Sequence, residues 1–359
     1  MTSSRRTLAL LATGVAATVA LAGCSTSTPA ASPNATGGSD DTIRVVTSTN
    51  VYGQVAQEIG GDVVTVTPII TSTAQDPHEY EATAQDQLVV AEADLIVENG
   101  GGYDGFMDAM IEATGTEAPV ITAVTFNHDY PGDEGDEHDH AEEEGDDHDH
   151  AEEEGDDHDH AEEEGDDHDH AEEEGDDHAG HDHIEGFNEH VWYDPHTMEH
   201  VAEAIAEELA VLDPDNAELF EQNAAAFIEG VEGLEASLDE IAASHGGAGV
   251  FVTEPVPLYL TAAADLDNLT PDEFSEAVEE GQDVPPATLL EAIEILESGD
   301  VAVVIANSQT GGAETTQVID TATAQSIPVL EFSETLPEGQ TYISWMEQNI
   351  GDLEASLAR

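Results

Sequence analysis

Two histidines lie where the predicted secondary structure changes from strand to helix. His78 belongs to the segment Asp-Pro-His-Glu-Tyr-Glu at 76–81, which follows a predicted strand at 63–70. His190 begins the segment His-Val-Trp-Tyr-Asp-Pro at 190–195. In an open α/β sheet, ligands bind in the crevice beyond the carboxyl ends of the strands, and imidazole is the commonest metal ligand among side chains. We therefore predict that both histidines line a metal-binding crevice.

A segment rich in histidine and acidic residues separates these two motifs. The decapeptide His-Asp-His-Ala-Glu-Glu-Glu-Gly-Asp-Asp occurs four times between residues 138 and 177, and residues 128–183 contain 12 histidines and 30 acidic residues. Because the repeat has no apolar residue larger than alanine, we expect this insert to form no core and to be disordered. Paired imidazoles beside carboxylates predict weak metal binding in several registers, so the insert would gather or buffer zinc. Its candidate auxiliary ligands are His138, His140, His148, His150, His158, His160, His168, His170, His178, His181 and His183.

The pattern His-x-x-Glu-His at 196–200 offers an alternative from another class of protein. In an inverted zincin, His196 and His200 would share one helix face and hold zinc, with Glu199 as the general base of a hydrolase. Such an enzyme also keeps one coordination position open for water. We favour the simpler interpretation that both histidines lie on a solvent-exposed face, and we predict that the chain is not an enzyme.

Composition excludes several classes of function. The 359 residues include 82 Asp and Glu against 4 Lys and Arg, which gives a net charge of -78. A nucleic-acid binder needs clustered basic residues, and so does a protein that docks on anionic lipid through a basic face. Such an acidic surface instead attracts cations, and its self-repulsion strains the folded state at low salt. We therefore expect a host that tolerates high ionic strength.

The amino-terminal segment predicts export and anchoring. Residues 1–23 combine two arginines with an apolar run that is too short for a transmembrane helix, as in a signal peptide for secretion by the Sec or the twin-arginine route. The run ends in Leu-Ala-Gly-Cys at 21–24, which resembles a bacterial lipobox. Cys24 is the only cysteine, so we predict its lipidation and exclude disulfides and cysteine-bound zinc. Residues 24–42 have the composition of a flexible tether, which predicts a protein held at the outer face of the cell membrane.

Short β-branched runs alternate with amphipathic stretches on both sides of the insert. Continuous apolar runs are typical of parallel strands that are covered on both faces. We predict an α/β protein with two lobes, at 43–195 (including the insert at 128–183) and 246–359, each with a mostly parallel sheet flanked by helices. The predicted strands are Ile43–Thr49, Val63–Ile70, Asp94–Val97, Val120–Thr125, Val250–Thr253, Val301–Ala306 and Pro328–Phe332. The predicted helices among them are Val51–Ile59, Thr83–Ala91, Gly105–Ala113, Pro286–Glu297 and Thr315–Gln325.

A helical region at 196–245 separates the two lobes. The tripeptide Asp-Pro-Asp at 213–215 divides it into a helix at 196–212 and a second helix at 216–244. Apolar residues of the second helix recur every three or four positions and form one stripe. At about 1.5 Å per residue this helix would span roughly 42 Å, long enough to run along both lobes and limit their hinge motion.

These motifs resemble the solute-binding proteins of bacterial ABC importers for zinc and manganese. The resemblance covers nearly all of residues 43–357 apart from the insert. It rests on the segments at 76–81 and 190–195 in this order, on Asp-Pro-Asp-Asn at 213–216 and on Ser-Glu-Thr-Leu-Pro at 333–337. It implies two lobes joined by one long rigid helix, with a metal site in the cleft between them. The histidine-rich insert is similar to that of the zinc branch.

The resemblance also implies which residues bind the metal. His78 and His190 would come from the first lobe. Glu254 takes a position where many zinc-binding members have histidine and manganese-binding members have glutamate, and Glu334 takes the position of an aspartate. Two neutral imidazoles and two carboxylates make a neutral site around a divalent cation, and four ligands suit tetrahedral zinc. Bidentate carboxylates would raise the coordination number and favour manganese.

The expected function follows from this resemblance. The chain would be a monomer that captures Zn²⁺, with Mn²⁺ as the alternative, and delivers it to an ABC importer permease and its ATPase. Because both lobes contribute ligands, metal would shift the population towards a closed state. A surface zinc store or adhesin without a transporter is a further alternative. Asp194 would either accept a hydrogen bond from a ligand's ring N–H or cap the helix that follows it.

Overall fold

The first lobe is built on a parallel sheet of four strands. The computed structural model describes residues 42–78, 80–131, 184 and 186–359. The strand order is β2-β1-β3-β4, with every neighbouring pair parallel. Parallel pairs need crossover connections, and helices supply them here. In chain order the elements are β1 (Ile43–Thr49), α1 (Asn50–Gly60), β2 (Val64–Ile70), α2 (Ala84–Ala91), β3 (Leu95–Glu98), α3 (Gly105–Thr114) and β4 (Val120–Thr122).

Two helices follow the first lobe and connect it to the second. They are α4 (Pro195–Leu212) and α5 (Ala217–His245), separated by a short 3-10 turn at Pro214–Asn216. With 29 residues, α5 is about 43 Å long at the usual rise per residue. It packs against α1 of the first lobe, α4, and the last helix of the chain. Its buried residues form the predicted stripe, namely Phe220, Ala224, Phe227, Val231, Leu234, Leu238 and Ile241.

The second lobe repeats the architecture of the first. Its strand order is β6-β5-β7-β8, again entirely parallel. One continuous apolar core joins residues of both lobes with α4, α5 and the carboxyl-terminal helix. The elements are β5 (Gly249–Val252), α6 (Leu258–Ala263), β6 (Asp267–Asn268), α7 (Asp272–Glu279), α8 (Pro286–Ser298), β7 (Val301–Asn307), α9 (Ala313–Gln325), β8 (Val329–Phe332) and α10 (Tyr342–Leu357).

The predicted fold class is confirmed, and the differences are local. The last strand of the first lobe is shorter than predicted, because residues 123–126 form a 3-10 turn. The exposed two-residue strand β6 has neither the length nor the apolar pattern that predicts a strand. Helices α6, α7 and α10 add to the helices predicted from amphipathic stretches. In the part of the chain that the structure describes, no helix is long and apolar enough to cross a membrane.

The strand orders fix where a ligand can bind. In the first sheet the order reverses between β1 and β3, and in the second between β5 and β7. Loops on either side of such a reversal diverge and leave a crevice beyond the carboxyl ends of the strands. Each lobe therefore offers one crevice at the carboxyl ends of its strands.

Candidate metal centre

His78 lies in the loop that follows β2. Its side chain is buried, and its backbone N–H donates to Asp76 Oδ1 at 2.9 Å, which fixes the turn through Pro77. Its Nε2 lies 3.8 Å from Glu334 Oε2, on the loop after β8 of the other lobe. The two residues that sequence analysis assigned to opposite lobes therefore meet across the cleft.

His190 is 1% exposed and immediately precedes a 3-10 turn at Val191–Tyr193. Its Nδ1 lies 2.8 Å from Asn188 Oδ1, which also accepts the backbone N–H of His190 at 3.2 Å. An amide oxygen can only accept, so Nδ1 carries the proton and Nε2 keeps the lone pair that a metal needs. This Nε2 lies 3.7 Å from Glu279 Oε1. Asn188 thus orients the ring.

Asp194 takes the second of its two predicted roles. Its Oδ1 accepts the N–H of His196, and its Oδ2 accepts from the Thr197 hydroxyl and from Asn127. Asp194 is the N-cap of α4, and the residue bonded to the ring of His190 is Asn188 instead.

The loop after β3 brings an aromatic ring to both histidines. Gly100, Gly101 and Gly102 all have φ between 70° and 98°, which side chains strongly disfavour. At Gly100 a Cβ would also lie 2.4 Å from Thr122. The loop places the Tyr103 ring centroid 4.9 Å from that of His78 and 5.8 Å from that of His190. Tyr103 therefore packs edge-on against both imidazoles and limits their rotation.

The two carboxylates predicted from the second lobe are linked by Asn307. Its Nδ2 donates to Glu254 Oε2 at 2.7 Å and to Glu334 Oε1 at 2.6 Å. The other oxygen of Glu254 accepts from the Thr310 hydroxyl. Glu334 thus has one oxygen on Asn307 and the other towards His78, whereas Glu254 joins the group through Asn307. Of the four predicted ligands, His78 and His190 therefore lie together, Glu334 approaches His78, and Glu254 is linked to Glu334 through Asn307.

Glu279 is a candidate ligand that sequence analysis missed. It is the last residue of α7, and its side chain is 11% exposed. One oxygen of Glu279 and one nitrogen each of His78 and His190 all lie within 4.8 Å of one another. Within the described residues, Glu279 Oε1 has no hydrogen-bond donor. A carboxylate at a helix carboxyl end opposes the helix dipole, and this was the one signal in the sequence that could have marked it.

Burial raises the pKa of these carboxyl groups and so favours their neutral form when no cation is bound. Desolvation raises the pKa of Glu334 to about 8, although the hydrogen bond from Asn307 opposes the shift. Desolvation also raises the pKa of Glu279 to about 9, with nearby Glu189 adding repulsion. The pKa of Glu254 is raised for the same first reason, against hydrogen bonds from Thr310 and Asn307. A divalent cation would remove this penalty by supplying the missing positive charge.

A cavity of about 470 Å³ opens beside His78 and Glu279. Besides Glu279, four acidic side chains line it, and they would raise the local concentration of cations at its mouth. These residues are Asp76, Glu280, Asp283 and Glu314.

The other predicted features lie elsewhere. The side chain of His196 is 50% exposed, and that of His200 is partly exposed, on the face of α4 that also meets Glu235 of α5. All eleven predicted auxiliary histidines lie between residues 138 and 183, outside the residues that the structure describes. Cys24 and the predicted signal peptide and tether up to residue 41 also lie outside the described residues.

Relatives of this chain are metal-binding lipoproteins. The chain is similar to the manganese-binding lipoprotein MntA of Halalkalibacterium halodurans, with 25% identity over 202 residues that cover 56% of this chain and 50% of the relative. It is also similar to the zinc-binding lipoprotein AdcA of Streptococcus pneumoniae, with 26% identity over 327 residues that cover 88% of this chain and 56% of the relative. The chain thus spans about half the length of the curated relatives that it matches.

Solved structures share the fold. The crystal structure of ZnuA has 19% identity and a TM-score of 0.62, and the match covers 88% of this chain and 99% of that chain. The periplasmic zinc-binding protein TroA from Treponema pallidum has 18% identity and a TM-score of 0.63, over 89% and 100% of the two chains. At these identities the likeness shows the fold alone. The sequence profile of the family described as zinc-uptake complex component A, periplasmic (ZnuA), matches residues 45–356, and the chain therefore belongs to that family.

Proposed function

We propose that this chain captures Zn²⁺ in the crevice between its lobes and delivers it to an ABC-type import permease. The observation that carries the proposal is the convergence of two imidazoles from the first lobe with carboxylates from the second. His78 lies 3.8 Å from Glu334, and His190 lies 3.7 Å from Glu279. These distances are close to the roughly 3.4 Å that separates ligands around a tetrahedral zinc ion.

The donor set supports zinc over manganese. Imidazole nitrogen binds zinc more tightly than manganese, as the Irving–Williams order describes. Carboxylates from both Glu279 and Glu334 would also allow the higher coordination number that suits manganese. Manganese is therefore the second candidate cargo, and the relatives named for zinc and for manganese are consistent with either.

A metal titration of the full-length protein tests the assignment. Competition against a chromogenic chelator should find one tight zinc site beside many weak ones, most of which we assign to the insert. His78→Ala and His190→Ala should each remove the tight site and leave the weak ones. His245→Ala, which changes a histidine at the end of α5, is the matched control. Retention of the tight site in both crevice variants would overturn the proposal.

Cobalt(II) absorption distinguishes the two metals' geometries. Tetrahedral cobalt absorbs far more strongly in the visible range than octahedral cobalt. The difference spectrum between the native protein and His190→Ala isolates the crevice from the insert. We expect the intense tetrahedral bands, because two imidazoles and two carboxylates can complete four-coordination. Weak octahedral bands would favour manganese as the cargo.

Delivery and anchoring are parts of the same proposal. Relatives named as lipoproteins, and one named as the substrate-binding lipoprotein of a manganese ABC transporter, support lipidation of Cys24 and a permease partner. A host that lacks this protein should grow poorly with a zinc chelator, and the native gene should restore growth. The Cys24→Ala variant should appear in the medium and not in the membrane fraction. A variant that stays on the membrane would contradict the anchor.

The hydrolase alternative at 196–200 is not supported. Members of this family are metal-binding components of transport systems, and the chain is not an enzyme.

A further inference from the structure

A second group of metal-binding side chains lies outside the crevice, where α4 and α5 pack together. His196 and Glu199 belong to the first turns of α4, and Glu235 belongs to the middle of α5. One ligand atom from each of the three lies within 4.8 Å of the other two. Sequence spacing could place only His196 and Glu199 together, because Glu235 reaches them through the packing of α5 against α4.

Helix geometry holds the three side chains together. His196 and Glu199 are three residues apart and therefore project from the same face of α4. On α5, the neighbouring residue Leu234 is buried in the core, so Glu235 lies at the edge of the buried stripe. His196 Nδ1 and Glu235 Oε1 are 4.0 Å apart, and both side chains are open to solvent, at 50% and 41% exposed.

A second imidazole lies one helical turn further along. The His200 ring centroid is 4.8 Å from that of His196, with the rings nearly perpendicular. Its Nδ1 lies 3.1 Å from Glu203 Oε2, which leaves the Nε2 edge of the ring available for a different contact. This part of the surface therefore combines two imidazoles with the carboxylates of Glu199, Glu203 and Glu235, and its members come from two helices.

Negative charge is concentrated around this group. Partial burial raises the pKa of Glu235, His196 lowers it, and Glu199, Asp194 and Asp239 raise it further. A divalent cation at this position would offset the repulsion among these carboxylates. Nitrogen and carboxylate donors together select divalent transition metals, zinc among them, over calcium and magnesium.

We propose that His196, Glu199 and Glu235 form a second, solvent-open site for a divalent transition-metal ion that links α4 to α5. The site holds its ion weakly, since three side-chain ligands leave room for water and both helices are exposed there. It is distinct from the crevice in residues and in burial, and it does not depend on the function proposed for the crevice.

Residue-resolved chemical modification of the full-length protein tests this site. Diethyl pyrocarbonate acylates free imidazole nitrogen, and peptide mass spectrometry reports the extent at each histidine. Zinc at about ten times its dissociation constant should slow modification of His196 about tenfold. His245 on α5 provides the internal reference, because its rate should not change.

Matched variants separate this site from chance protection. Glu235→Gln and Glu199→Gln should each abolish the zinc protection of His196. Glu232→Gln, an exposed carboxylate one turn earlier on α5, should retain it. His190→Ala should also retain it, so failure of the crevice assignment would not affect this result. Equal modification of His196 with and without zinc, or persistent protection in both Glu→Gln variants, would overturn the proposal.

Discussion

At the scale of single residues, Glu279 is the candidate ligand that most changes the expected chemistry of the crevice. Its oxygen lies 3.7 Å from His190 Nε2 and has no hydrogen-bond donor among the described residues. We predict that Glu279→Gln weakens zinc binding about tenfold to a hundredfold, because a charged ligand is replaced by a neutral amide. Glu276, an exposed carboxylate on the same helix that does not line the cavity, is the matched control, and Glu276→Gln should change the dissociation constant by less than about twofold. Equal affinities of native protein and Glu279→Gln in a chelator competition would remove Glu279 from the site.

The buried carboxyl groups also predict how pH affects the metal-free protein. Burial raises the pKa of Glu334 to about 8 and that of Glu279 to about 9, from an ordinary value of 4.5. Burial likewise raises the pKa of Glu98, in the first lobe, to about 8. Between pH 4.5 and these values the folded state holds protons that the unfolded chain releases. The free energy of unfolding therefore falls as pH rises through this window.

Thermal melting in the presence of a chelator measures this effect. The melting temperature should fall between about pH 5 and about pH 8. Zinc should raise it more at the alkaline end, because the ligands then bind metal without first losing protons. Glu98→Gln should flatten part of the pH dependence without changing zinc affinity. A melting temperature that rises steadily with pH would show that these carboxyl groups are ionised in the folded protein.

Sequence reasoning proposed those candidate ligands whose role depends on local context. His78 and His190 follow from their positions beside strand ends, and the resemblance added Glu254 and Glu334. Glu279 could not be found in this way, because its burial depends on how α7 packs across the cleft. The ring of His190 is oriented by Asn188, two residues before it, and Asp194 takes the other of its two predicted roles as the cap of α4.

At the scale of secondary structure, helix α10 supports the turn that carries His190. The Tyr342 hydroxyl donates to the backbone carbonyl of Trp192 at 2.9 Å, and the Tyr342 ring packs on Phe227 of α5. We predict that Tyr342→Phe lowers the free energy of unfolding by about 1–3 kcal/mol, because the buried carbonyl loses its donor. It should also weaken zinc binding, since the turn after His190 becomes less rigid.

Denaturant unfolding of the metal-free protein checks this, with a chelator titration for zinc affinity. Tyr80→Phe is the control, because it removes a hydrogen bond to Asp86 at a partly exposed position where water can replace it. Its cost should stay below about 1 kcal/mol. Equal costs for the two variants would mean that the bond to Trp192 has no special role.

Most elements were predictable because their patterns are strong over a short range. The strands of both sheets are continuous apolar runs, and α5 has a regular stripe over 29 residues. The exceptions are short or depend on the tertiary context. Strand β6 has two exposed polar residues. Helix α7 has eight mostly polar residues, and only the packing of Phe274 and Val278 into the second lobe shows which face is buried. Parallel pairing followed from the alternation of strands and helices, not from any single element, whereas the strand order was not predicted.

At the scale of the whole molecule, the net charge of -78 predicts a stability that depends on salt. Repulsion among like charges destabilises the compact state, and salt shortens its range from about 10 Å at 0.1 M to about 3 Å at 1 M. The melting temperature should therefore rise by at least about 5 °C between these concentrations of potassium chloride. Sucrose at equal osmolality is the control for effects other than screening. A melting temperature that stays constant or falls with salt would contradict the expected adaptation to high ionic strength.

Added salt, which should stabilise the fold, should slow the capture of metal. Acidic side chains around the cavity beside His78 attract cations, and screening by salt weakens that attraction. Stopped-flow fluorescence can follow capture, because the Trp192 ring lies 5.1 Å from that of His190. We predict that the association rate constant for zinc falls about tenfold between 0.05 M and 1 M salt, while the dissociation rate constant changes little.

Charge variants at the cavity locate this effect. Replacing Asp283 by Asn and Glu314 by Gln together should slow association at low salt and make it less sensitive to salt, because both residues line the cavity. The paired control Glu291→Gln with Glu294→Gln removes the same charge at a different cavity of the second lobe and should have a smaller effect. Equal slowing by both pairs would mean that capture responds to the total charge of the molecule. A larger effect of the first pair would show that the acidic residues at the mouth guide the ion. The acidic surface would then have two effects, because its repulsion destabilises the folded state and its attraction for cations raises the association rate constant.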